Sequence, residues 1–395
     1  MKPFLAAPLA LIMVAGCAWA EPWPQGAARA GYEPAFAGQT RAGAMNSGVT
    51  LSASVVQDGL EHPWALAFLP DGGVLVTERP GRLRHVKDGR MTTITGIPPV
   101  SAGGQGGLLD VAVAPDFERS RVIFLSYAEP REGGNGTSVA RMVLAPDAAS
   151  VSDVRVIFRQ NPTYGGQQHF GSRILPDADG TLFITLGDRS DTAIRETTQR
   201  LDNHIGKLVR INADGTVPAD NPFAGQPGAA PEIWALGLRN VQAAAKDAGG
   251  RLWTVEHGPA GGDELNLIAP GRNYGWPVIS YGVNYNGSPV NAGITQQEGM
   301  EQPVYYWDPV IAPSGAVFYE GAMFPEFRGD LLIGSLRPGG IVRLALENDR
   351  VSGEERFDPG NGIGRVRDIQ VAGDGAIWIV TDAASGALYR LTRQE

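Results

Sequence analysis

Short hydrophobic runs of β-strand type recur along the chain from Val49 onward, each beside a turn rich in Gly, Asp or Pro. In the first unit, Trp64-Ala65-Leu66-Ala67-Phe68 leads through Pro70-Asp71-Gly72-Gly73 into Val74-Leu75-Val76-Thr77. An Asp-Gly turn between two such runs predicts a β-hairpin. Sustained helical periodicity is absent from the sequence, so the pattern predicts an all-β fold.

The hairpin pattern occurs six times. The five further copies centre on residues 107–126, 172–185, 248–255, 328–334 and 373–380. Small antiparallel sheets that cannot bury both faces alone are typical of a propeller, in which blades stack around a channel. We therefore predict a six-bladed β-propeller of four-stranded antiparallel blades over residues 49–395. Two β-sandwiches in tandem would give a similar pattern and are the alternative.

Composition agrees with a turn-rich fold that still has an adequate core. The 395 residues include 53 Gly and 29 Pro, and 43% of them are hydrophobic while 19% are charged. The net charge of -9 argues against nucleic acid as a partner. The glycine-rich stretch 103–107 lacks the G-x-G-x-x-G spacing and a following helix, which excludes a nicotinamide-binding Rossmann domain.

The N-terminus has the features of an export signal. Its apolar run is too short to span a bilayer, so no transmembrane segment is expected, and residues 1–20 are predicted to be a signal peptide. Ala18-Trp19-Ala20 fits a cleavage site, whereas a lipobox ending at Cys17 would instead give a lipid anchor. Either route predicts a periplasmic or secreted protein without disulfides. Residues 21–48, rich in Ala, Gly and Pro, are predicted to form a flexible leader.

Among the five histidines, His169 is the best candidate for chemistry. It lies in the loop Tyr164-Gly165-Gly166-Gln167-Gln168-His169-Phe170-Gly171, just before a predicted strand, where an imidazole can act as a base. Asp188 follows in another loop and can orient that imidazole if the two loops share one face. The structural alternative is a loop histidine that only hydrogen-bonds to the backbone.

Several basic residues lie on predicted loops. They are Arg239 beside Asn240, Arg337, and the pair Arg365 and Arg367. Most surface arginines are simply solvated. In an extended strand, however, Arg365 and Arg367 point to the same side and can grip a polyanion together.

A loop from His257 to Pro277 combines glycine, proline, carboxylates and amides. Its carboxylates and bendable backbone carbonyls are the hard oxygen ligands that calcium prefers, so we consider it a candidate calcium site. A polar connector between strands is the alternative. No His or Cys pattern typical of zinc is present in the sequence.

An ordered set of motifs over residues 50–392 resembles the glucose/sorbosone dehydrogenase family, and within it the soluble aldose sugar dehydrogenases. The motifs are Gly104-Gln105-Gly106-Gly107-Leu108-Leu109, Gln168-His169-Phe170-Gly171, Leu186-Gly187-Asp188, Gly206-Lys207-Leu208-Val209-Arg210-Ile211, Gly237-Leu238-Arg239-Asn240, Asp263-Glu264-Leu265-Asn266, Asn273-Tyr274-Gly275-Trp276-Pro277 and Arg365-Val366-Arg367. Each motif alone is weak, whereas the set in this order is specific.

The resemblance implies an oxidoreductase that oxidises the anomeric C1 of an aldose to a lactone, with hydride transfer to calcium-bound pyrroloquinoline quinone (PQQ). It implies that His169 is the base, that Asp188 supports this histidine, and that Arg239 polarises the quinone. The residues implied to hold the cofactor are Gln105, His169, Arg239, Asn240, Arg337, Arg365 and Arg367. Cationic clamps suit a tricarboxylate that becomes more anionic on reduction.

The resemblance also implies two calcium ions. The backbone carbonyls of Gly258 and Pro259 would bind the ion at the quinone. Glu264, with the carbonyls of Tyr274 and Tyr285, would bind a structural ion. The chain departs from the glucose dehydrogenase branch at Arg337, where that branch has lysine, and at His257, where it has glutamine. The role of His257 is therefore open.

Two other functional classes are compatible with an exported propeller. A calcium-dependent lactonase would use the metal without a quinone, although the arginine cluster argues against it. A non-catalytic, glycan-binding propeller would leave His169, Asp188 and the arginines unexplained. No C-x-x-C-H haem motif is present in the sequence, so a dehydrogenase would need an external electron acceptor.

Overall fold

The computed structural model describes residues 20–360 and 362–394. The predicted signal peptide up to residue 19, and Cys17 within it, lie outside the described residues. The strands in chain order are β1 (Leu51–Leu60), β2 (Pro63–Phe68), β3 (Val74–Glu78), β4 (Arg82–Lys87), β5 (Arg90–Ile94), β6 (Leu108–Val113), β7 (Val122–Arg131), β8 (Gly134–Leu144), β9 (Val151–Arg159), β10 (Gly171–Pro176), β11 (Thr181–Leu186), β12 (Lys207–Asn212), β13 (Ile233–Leu236), β14 (Val241–Lys246), β15 (Leu252–Glu256), β16 (Asp263–Ile268), β17 (Tyr305–Trp307), β18 (Pro313–Phe318), β19 (Leu331–Ser335), β20 (Ile341–Glu347), β21 (Arg350–Phe357), β22 (Val366–Val371), β23 (Ile377–Thr381) and β24 (Gly386–Arg393).

The helical elements are short. They are α1 (Phe117–Ser120), α2 (Thr192–Arg195) and the 3-10 turns Glu196–Gln199 and Pro325–Phe327. Within the described part of the chain, none of the helices has the length and hydropathy needed to cross a membrane.

The strands form six four-stranded antiparallel sheets, which confirms the predicted propeller. Blades 1 to 5 are β2–β5, β6–β9, β10–β13, β14–β17 and β18–β21, each in sequence order. In blade 6, the order is β22-β23-β24-β1, so the first strand completes the sheet made by the last three. This pairing of β1 with β24 closes the ring, so that blade 6 packs against blade 1.

Among the residues that the structure describes, six hydrophobic clusters form the core, one between each pair of neighbouring blades. Between blades 1 and 2, for example, Leu75 and Leu83 pack with Leu109, Ile123 and Leu125. The same arrangement continues around the ring to the cluster between blades 6 and 1. Stacking therefore buries the sheet faces that no blade buries alone.

The six predicted hairpin units correspond to the first and second strands of each blade. In blade 1, the turn from β2 to β3 is closed by hydrogen bonds from Leu69 N to Gly73 O and from Gly72 N to Leu69 O. Gly72 has a φ of 82°, a left-handed conformation that glycine adopts without strain. The predicted turn chemistry is thus confirmed.

The topology determines where a site can form. The first strands of the blades contact one another around the central channel. Because neighbouring strands are antiparallel, the loop that enters each first strand and the loop that leaves each second strand emerge at the same end of the channel. Side chains from six pairs of loops therefore meet at this end, which we call the upper face.

Candidate functional site

The upper face contains an inner cavity of about 270 Å³. It is lined by Trp64, Arg79, Gln105, Leu109, Phe170, Gly171, Asn240, Gln242, His257, Ala312, Leu336, Arg365, Arg367 and Asp382. Such a cavity is near the lower end of the ~300–1,000 Å³ range of small-ligand pockets. Gln105, Asn240, Arg365 and Arg367 are sequence candidates that the structure brings together in its wall.

His169 and Asp188 form a buried pair at the edge of this cavity. Nδ1 of His169 lies 2.6 Å from Oδ1 of Asp188. The Asp188 carboxylate also accepts hydrogen bonds from Ser190 N at 2.8 Å and from Trp276 Nε1 at 2.8 Å. With Nδ1–H donating to the carboxylate, Nε2 carries the lone pair and can accept a proton.

Local backbone geometry brings the two loops close together. His169 has a φ of 47°, and its carbonyl oxygen lies only 2.0 Å from where a Cβ on Gly187 would be. Any side chain at position 187 would force these loops apart. Gly187 therefore explains why Asp188, immediately after it, can reach the imidazole.

Burial keeps the imidazole neutral. His169 is 5% exposed, and its pKa is lowered by burial and by the charge of Arg239. Burial tends to raise the pKa of Asp188, but the interaction with His169 and the charge of Arg239 outweigh it, so that its pKa lies below the ordinary value. A neutral imidazole beside an ionised carboxylate is the state in which a histidine base accepts a proton.

Arg239 connects this pair with the candidate calcium loop. Its Nη1 donates to the carbonyls of His257 at 2.8 Å and Gly258 at 2.6 Å. Its Nε is buried and makes no hydrogen bond within the described residues. Glu256 accepts from the backbone N of Arg239 at 2.6 Å and so anchors the turn that presents this arginine.

The arginines of the inner cavity carry more positive charge than the Asp382 carboxylate can neutralise. Arg365 and Arg367 share the Asp382 carboxylate at 2.7 and 3.5 Å, and Arg79 lines the same wall. Burial and neighbouring arginines lower the pKa of Arg367 to about 10. Its Nε and that of Arg79 make no hydrogen bond within the described residues. Three guanidinium groups facing one carboxylate favour an anionic ligand.

Gln105 and Asn240 hold the loop that carries His169. Gln105 Oε1 accepts from His169 N at 2.9 Å, and Asn240 Oδ1 accepts from Gly171 N at 3.2 Å. Both side chains also line the inner cavity, where their amide nitrogens can donate to a ligand.

Arg337 lies elsewhere. Its neighbour Leu336 lines the inner cavity, whereas Arg337 is exposed and lines a separate outer groove of about 890 Å³ on the same face. This outer groove runs between Trp23, Pro259, Tyr285, Arg337 and Gly364. Tyr285 is 79% exposed there.

The candidate calcium loop is held by Asp263. Its carboxylate accepts from Gly258 N at 2.8 Å, Ile311 N at 2.9 Å and Ala312 N at 2.7 Å. His257 is pinned as well, since Nε2 lies 2.6 Å from Pro313 O, and burial lowers its pKa to about 3. The contact with Pro313 fixes the orientation of the His257 imidazole, which also lines the inner cavity.

Glu264 lies directly opposite Glu256 on the neighbouring strand. Burial and Glu256 raise the pKa of Glu264 well above its ordinary value, and burial raises that of Glu256 to about 7. Asn266 Nδ2 bonds both carboxylates, at 3.2 and 3.4 Å, while its Oδ1 is buried and unpaired within the described residues. Like charges opposite each other repel, so this oxygen-rich pair fits a bound cation.

Tyr274 and the Gly258 carbonyl fit the implied calcium sites less well than Glu264 does. Tyr274 is buried, and its hydroxyl donates to Leu267 O at 2.8 Å. The described residues contain no cluster of three or more His, Cys, Asp or Glu with metal-site geometry. Any calcium site here must therefore depend on backbone carbonyls or ligand oxygens as well as side chains. The Gly258 carbonyl already bonds Arg239, whose guanidinium would have to move away from a cation.

Sequence reasoning missed Arg79, Gln242, Asp382, Trp276 and Glu256. A positional signal could have found two of them, because Arg79 and Asp382 immediately follow the second strands of blades 1 and 6. His257 occupies the same position in blade 4. Trp276 and Glu256 act through hydrogen bonds across the fold, which no local pattern indicates.

A family model and a known relative each match most of this chain. The Glucose / Sorbosone dehydrogenase family model matches residues 60–390. The chain is 43% identical over 349 residues to the aldose sugar dehydrogenase YliI of Escherichia coli, with 87% of this chain and 93% of that protein covered.

Two solved structures also match most of this chain. The apo-form of the soluble aldose sugar dehydrogenase (Asd) of Escherichia coli matches with a TM-score of 0.84 and 43% identity, over 87% of this chain and 100% of that chain. The PQQ-bound aldose sugar dehydrogenase (Adh) of Streptomyces coelicolor matches with a TM-score of 0.72 and 28% identity, over 88% of this chain and 99% of that chain.

Proposed function

Because the chain belongs to the glucose/sorbosone dehydrogenase family, we propose that it oxidises the anomeric C1 of an aldose to a lactone, with PQQ and calcium as cofactors. The observation that supports this most is the neutral His169, held by Asp188, at the edge of an arginine-lined cavity. A neutral imidazole beside an arginine-lined cavity supports a sugar oxidation with an anionic cofactor, because that reaction needs a base next to an anion site.

The inner cavity suits the tricarboxylate PQQ. Arg365 and Arg367 would bind its carboxylates, while Gln105 and Asn240 would donate to its oxygens. Arg337 would join them only from the outer groove side, where its guanidinium is exposed. When bound, PQQ supplies a two-electron acceptor and calcium supplies a Lewis acid next to it.

Oxidation of C1 to a lactone removes the hydroxyl proton and a hydride. Nε2 of His169 would take the proton, because burial keeps the imidazole neutral before the reaction. Asp188 would stabilise the resulting imidazolium through the hydrogen bond to Nδ1. Arg239, whose charge acts on both residues, would stabilise negative charge that develops in the cavity.

Two calcium ions complete the proposal. The carbonyls of Gly258 and Pro259 would bind one beside the cofactor, once Arg239 releases the Gly258 carbonyl. The second would bind at Glu264 with the carbonyls of Tyr274 and Tyr285. The raised pKa of Glu264 supports a cation at this position, since a cation would relieve its repulsion with Glu256.

Reconstitution tests the function. Purified apoprotein given PQQ and calcium is expected to reduce an artificial dye with aldoses, and to acquire a quinone absorption that changes when sugar is added. Absence of PQQ-dependent turnover on any aldose would overturn the proposal. Hydrolysis of lactones with calcium alone would indicate the lactonase, and glycan binding without either activity would indicate the binding module.

We also infer that the protein is exported and passes its electrons to an external acceptor. The N-terminal sequence supports export, either by cleavage after Ala20 or by lipidation at Cys17. Mass spectrometry of the mature N-terminus distinguishes a free Glu21 from a lipidated cysteine. An intact N-terminus on protein from the cytoplasm would contradict export.

A further inference from the structure

A segment at the N-terminus, residues 22–45, lies across the outer parts of blades 4 and 5. We call it the strap. It precedes the region that the family model matches, residues 60–390. Its two ends meet in a bridge between Pro22 and Gly43, and Ala44 pairs with Glu354 in the outermost strand of blade 5. The sequence predicts a flexible leader over residues 21–48. In the structure, hydrogen bonds and a bridge connect residues 22–45 to blades 4 and 5.

Asp308 fastens the middle of the strap. This residue is 4% exposed, and its carboxylate accepts from the backbone N–H groups of Arg29 at 2.6 Å, Ala30 at 2.9 Å and Gly31 at 3.1 Å. Arg41 returns a side-chain hydrogen bond to the Asp308 carbonyl at 2.8 Å. A buried carboxylate that accepts three backbone donors holds the chain in one conformation.

A second anchor lies further along the strap. The Gln39 side chain is fully buried, and its Nε2 donates to Pro303 O at 2.9 Å. The backbone carbonyl of Gln39 accepts from Tyr306 N at 2.8 Å. The Tyr305 hydroxyl accepts from Ala42 N at 2.9 Å. The strap is therefore attached to the outermost strand of blade 4 through paired polar groups.

Held in this way, the strap forms one wall of the outer groove. Trp23, Gln25 and Arg29 line that wall, while Pro259 and Arg337 lie in the loops opposite. The groove volume of about 890 Å³ is nearly three times the ~300 Å³ of the smallest ligand pockets. There is space for more than a single sugar ring.

The outer groove adjoins the inner cavity along three stretches of chain. His257 lines the cavity and Pro259 the groove, and the same change occurs between Leu336 and Arg337 and between Gly364 and Arg365. The paired residues are adjacent in sequence or have a single residue between them. A ligand with its reacting end beside His169 would extend from the cavity into the groove.

The groove has the chemistry of a sugar-binding surface. Trp23 is partly exposed and Tyr285 is 79% exposed, which gives aromatic faces for the C–H faces of sugar rings. Gln25 and Arg29 offer planar donors for hydroxyl groups, and the Arg356 guanidinium is fixed by Glu354 at 2.6 Å and by Gln25 at 2.9 Å. The groove lining thus combines aromatic and hydrogen-bonding groups.

We propose that the strap is a specificity element, and that Trp23 binds the second and further sugar units of an oligosaccharide whose reducing end reacts beside His169, at the edge of the inner cavity. This inference rests on the proposed function, since it takes His169, at the edge of the inner cavity, as the base of aldose oxidation. It goes beyond that function because it assigns the selection of substrates by length to a segment outside the residues that the family model matches.

Steady-state kinetics test the role of Trp23. Trp23→Ala in reconstituted enzyme is expected to lower kcat/KM for maltotetraose about tenfold through KM, and to leave kcat/KM for glucose within about twofold. Phe36→Ala is the matched control, because Phe36 belongs to the same strap but stacks under Arg350 away from the groove. Equal changes for both sugars, or none for maltotetraose, would overturn the proposal.

A binding measurement separates this proposal from the proposed function. Maltotetraitol, which has no reducing end, is titrated calorimetrically into protein without PQQ. Wild type and Phe36→Ala are expected to bind it, and Trp23→Ala to bind about tenfold more weakly.

Absence of binding to wild type would overturn the groove assignment even if glucose is oxidised. Binding without any aldose turnover would retain a glycan groove and reject the dehydrogenase. A Trp23→Ala defect only with a protein electron acceptor would reassign the groove to that partner.

Discussion

Nδ1 of His169 lies 2.6 Å from Oδ1 of Asp188, and the other Asp188 oxygen accepts from Trp276 Nε1 at 2.8 Å. The carboxylate is therefore fixed on both sides. It fixes in turn the tautomer of the imidazole, whose Nε2 remains free to accept a proton. The arrangement depends on three separate loops, those that contain residues 169, 188 and 276.

Replacing His169 by Ala should lower kcat for aldose oxidation by about 10²–10⁴-fold, because the base is lost. PQQ affinity, measured by calorimetry, should stay within about threefold, since the cavity arginines remain. His85→Ala is the control, because His85 lies on β4 beside Asp71 and away from the inner cavity. A variant with full kcat would remove His169 from the mechanism, and one that loses only PQQ binding would make it a cofactor ligand.

Replacing Asp188 by Asn should move the acid limb of the kcat/KM profile to lower pH. Burial and Arg239 lower the pKa of His169, while Asp188 raises it, so removal of the carboxylate charge lowers that pKa further. A base must be neutral to accept a proton, and a lower pKa extends the neutral form of His169 to lower pH. At the plateau, kcat should nevertheless fall about 10–100-fold, because the imidazolium loses its partner. An acid limb at unchanged or higher pH would contradict this coupling.

The propeller was predictable from local signals, whereas the site was predictable only in part. The turn at Pro70-Asp71-Gly72-Gly73 uses turn chemistry that any such hairpin needs, so its repeats along the sequence reveal the blades. Closure by β1 and β24 joins residues far apart in sequence, and no local pattern contains it. Likewise, His169 stands out as a loop histidine, but its partner Trp276 becomes visible only in three dimensions.

The arginines illustrate the same limit. Arg365 and Arg367 were placed on one side by strand alternation, and both reach Asp382 in the structure. Arg337 has the same residue type and a similar loop position, yet it lies in the outer groove. Backbone direction at the end of β19, not residue identity, decides which cavity the guanidinium lines.

Arg367 and Arg365 should contribute unequally to PQQ binding. The Arg367 side chain is 10% exposed and Arg365 is 51% exposed. Charge pairs out of water are stronger, so Arg367→Ala should weaken PQQ binding by about 10–100-fold and Arg365→Ala by less. Calorimetric titration at two salt concentrations should find the Arg365 effect more salt-sensitive. Arg390→Ala, which breaks an exposed pair with Asp374, is the control. Equal losses of PQQ affinity in the two variants would indicate that burial does not determine how strongly each arginine binds PQQ.

Calcium should stabilise the PQQ-free protein more at pH 8 than at pH 5. The pKa of Glu256 is raised to about 7 in the folded protein from an ordinary 4.5, and that of Glu264 is also raised. A raised carboxyl pKa means that protonation favours the folded state. Its stabilisation is complete below about 4.5 and is lost as the pH rises through about 7. Bound calcium would offset the repulsion that then develops between the two carboxylates.

Thermal unfolding of wild type and Glu264→Gln at several pH values, with and without calcium, measures this effect. Without calcium, the Tm of wild type relative to the variant should fall between pH 5 and pH 8, because the variant has only one carboxylate at this position. With calcium at pH 8, wild type should gain ~2–4 °C while Glu264→Gln gains less. The exposed Glu347→Gln should behave as wild type. An equal calcium response in wild type and Glu264→Gln would show that Glu264 is not a calcium ligand, because a lost carboxylate ligand must weaken the site it belongs to.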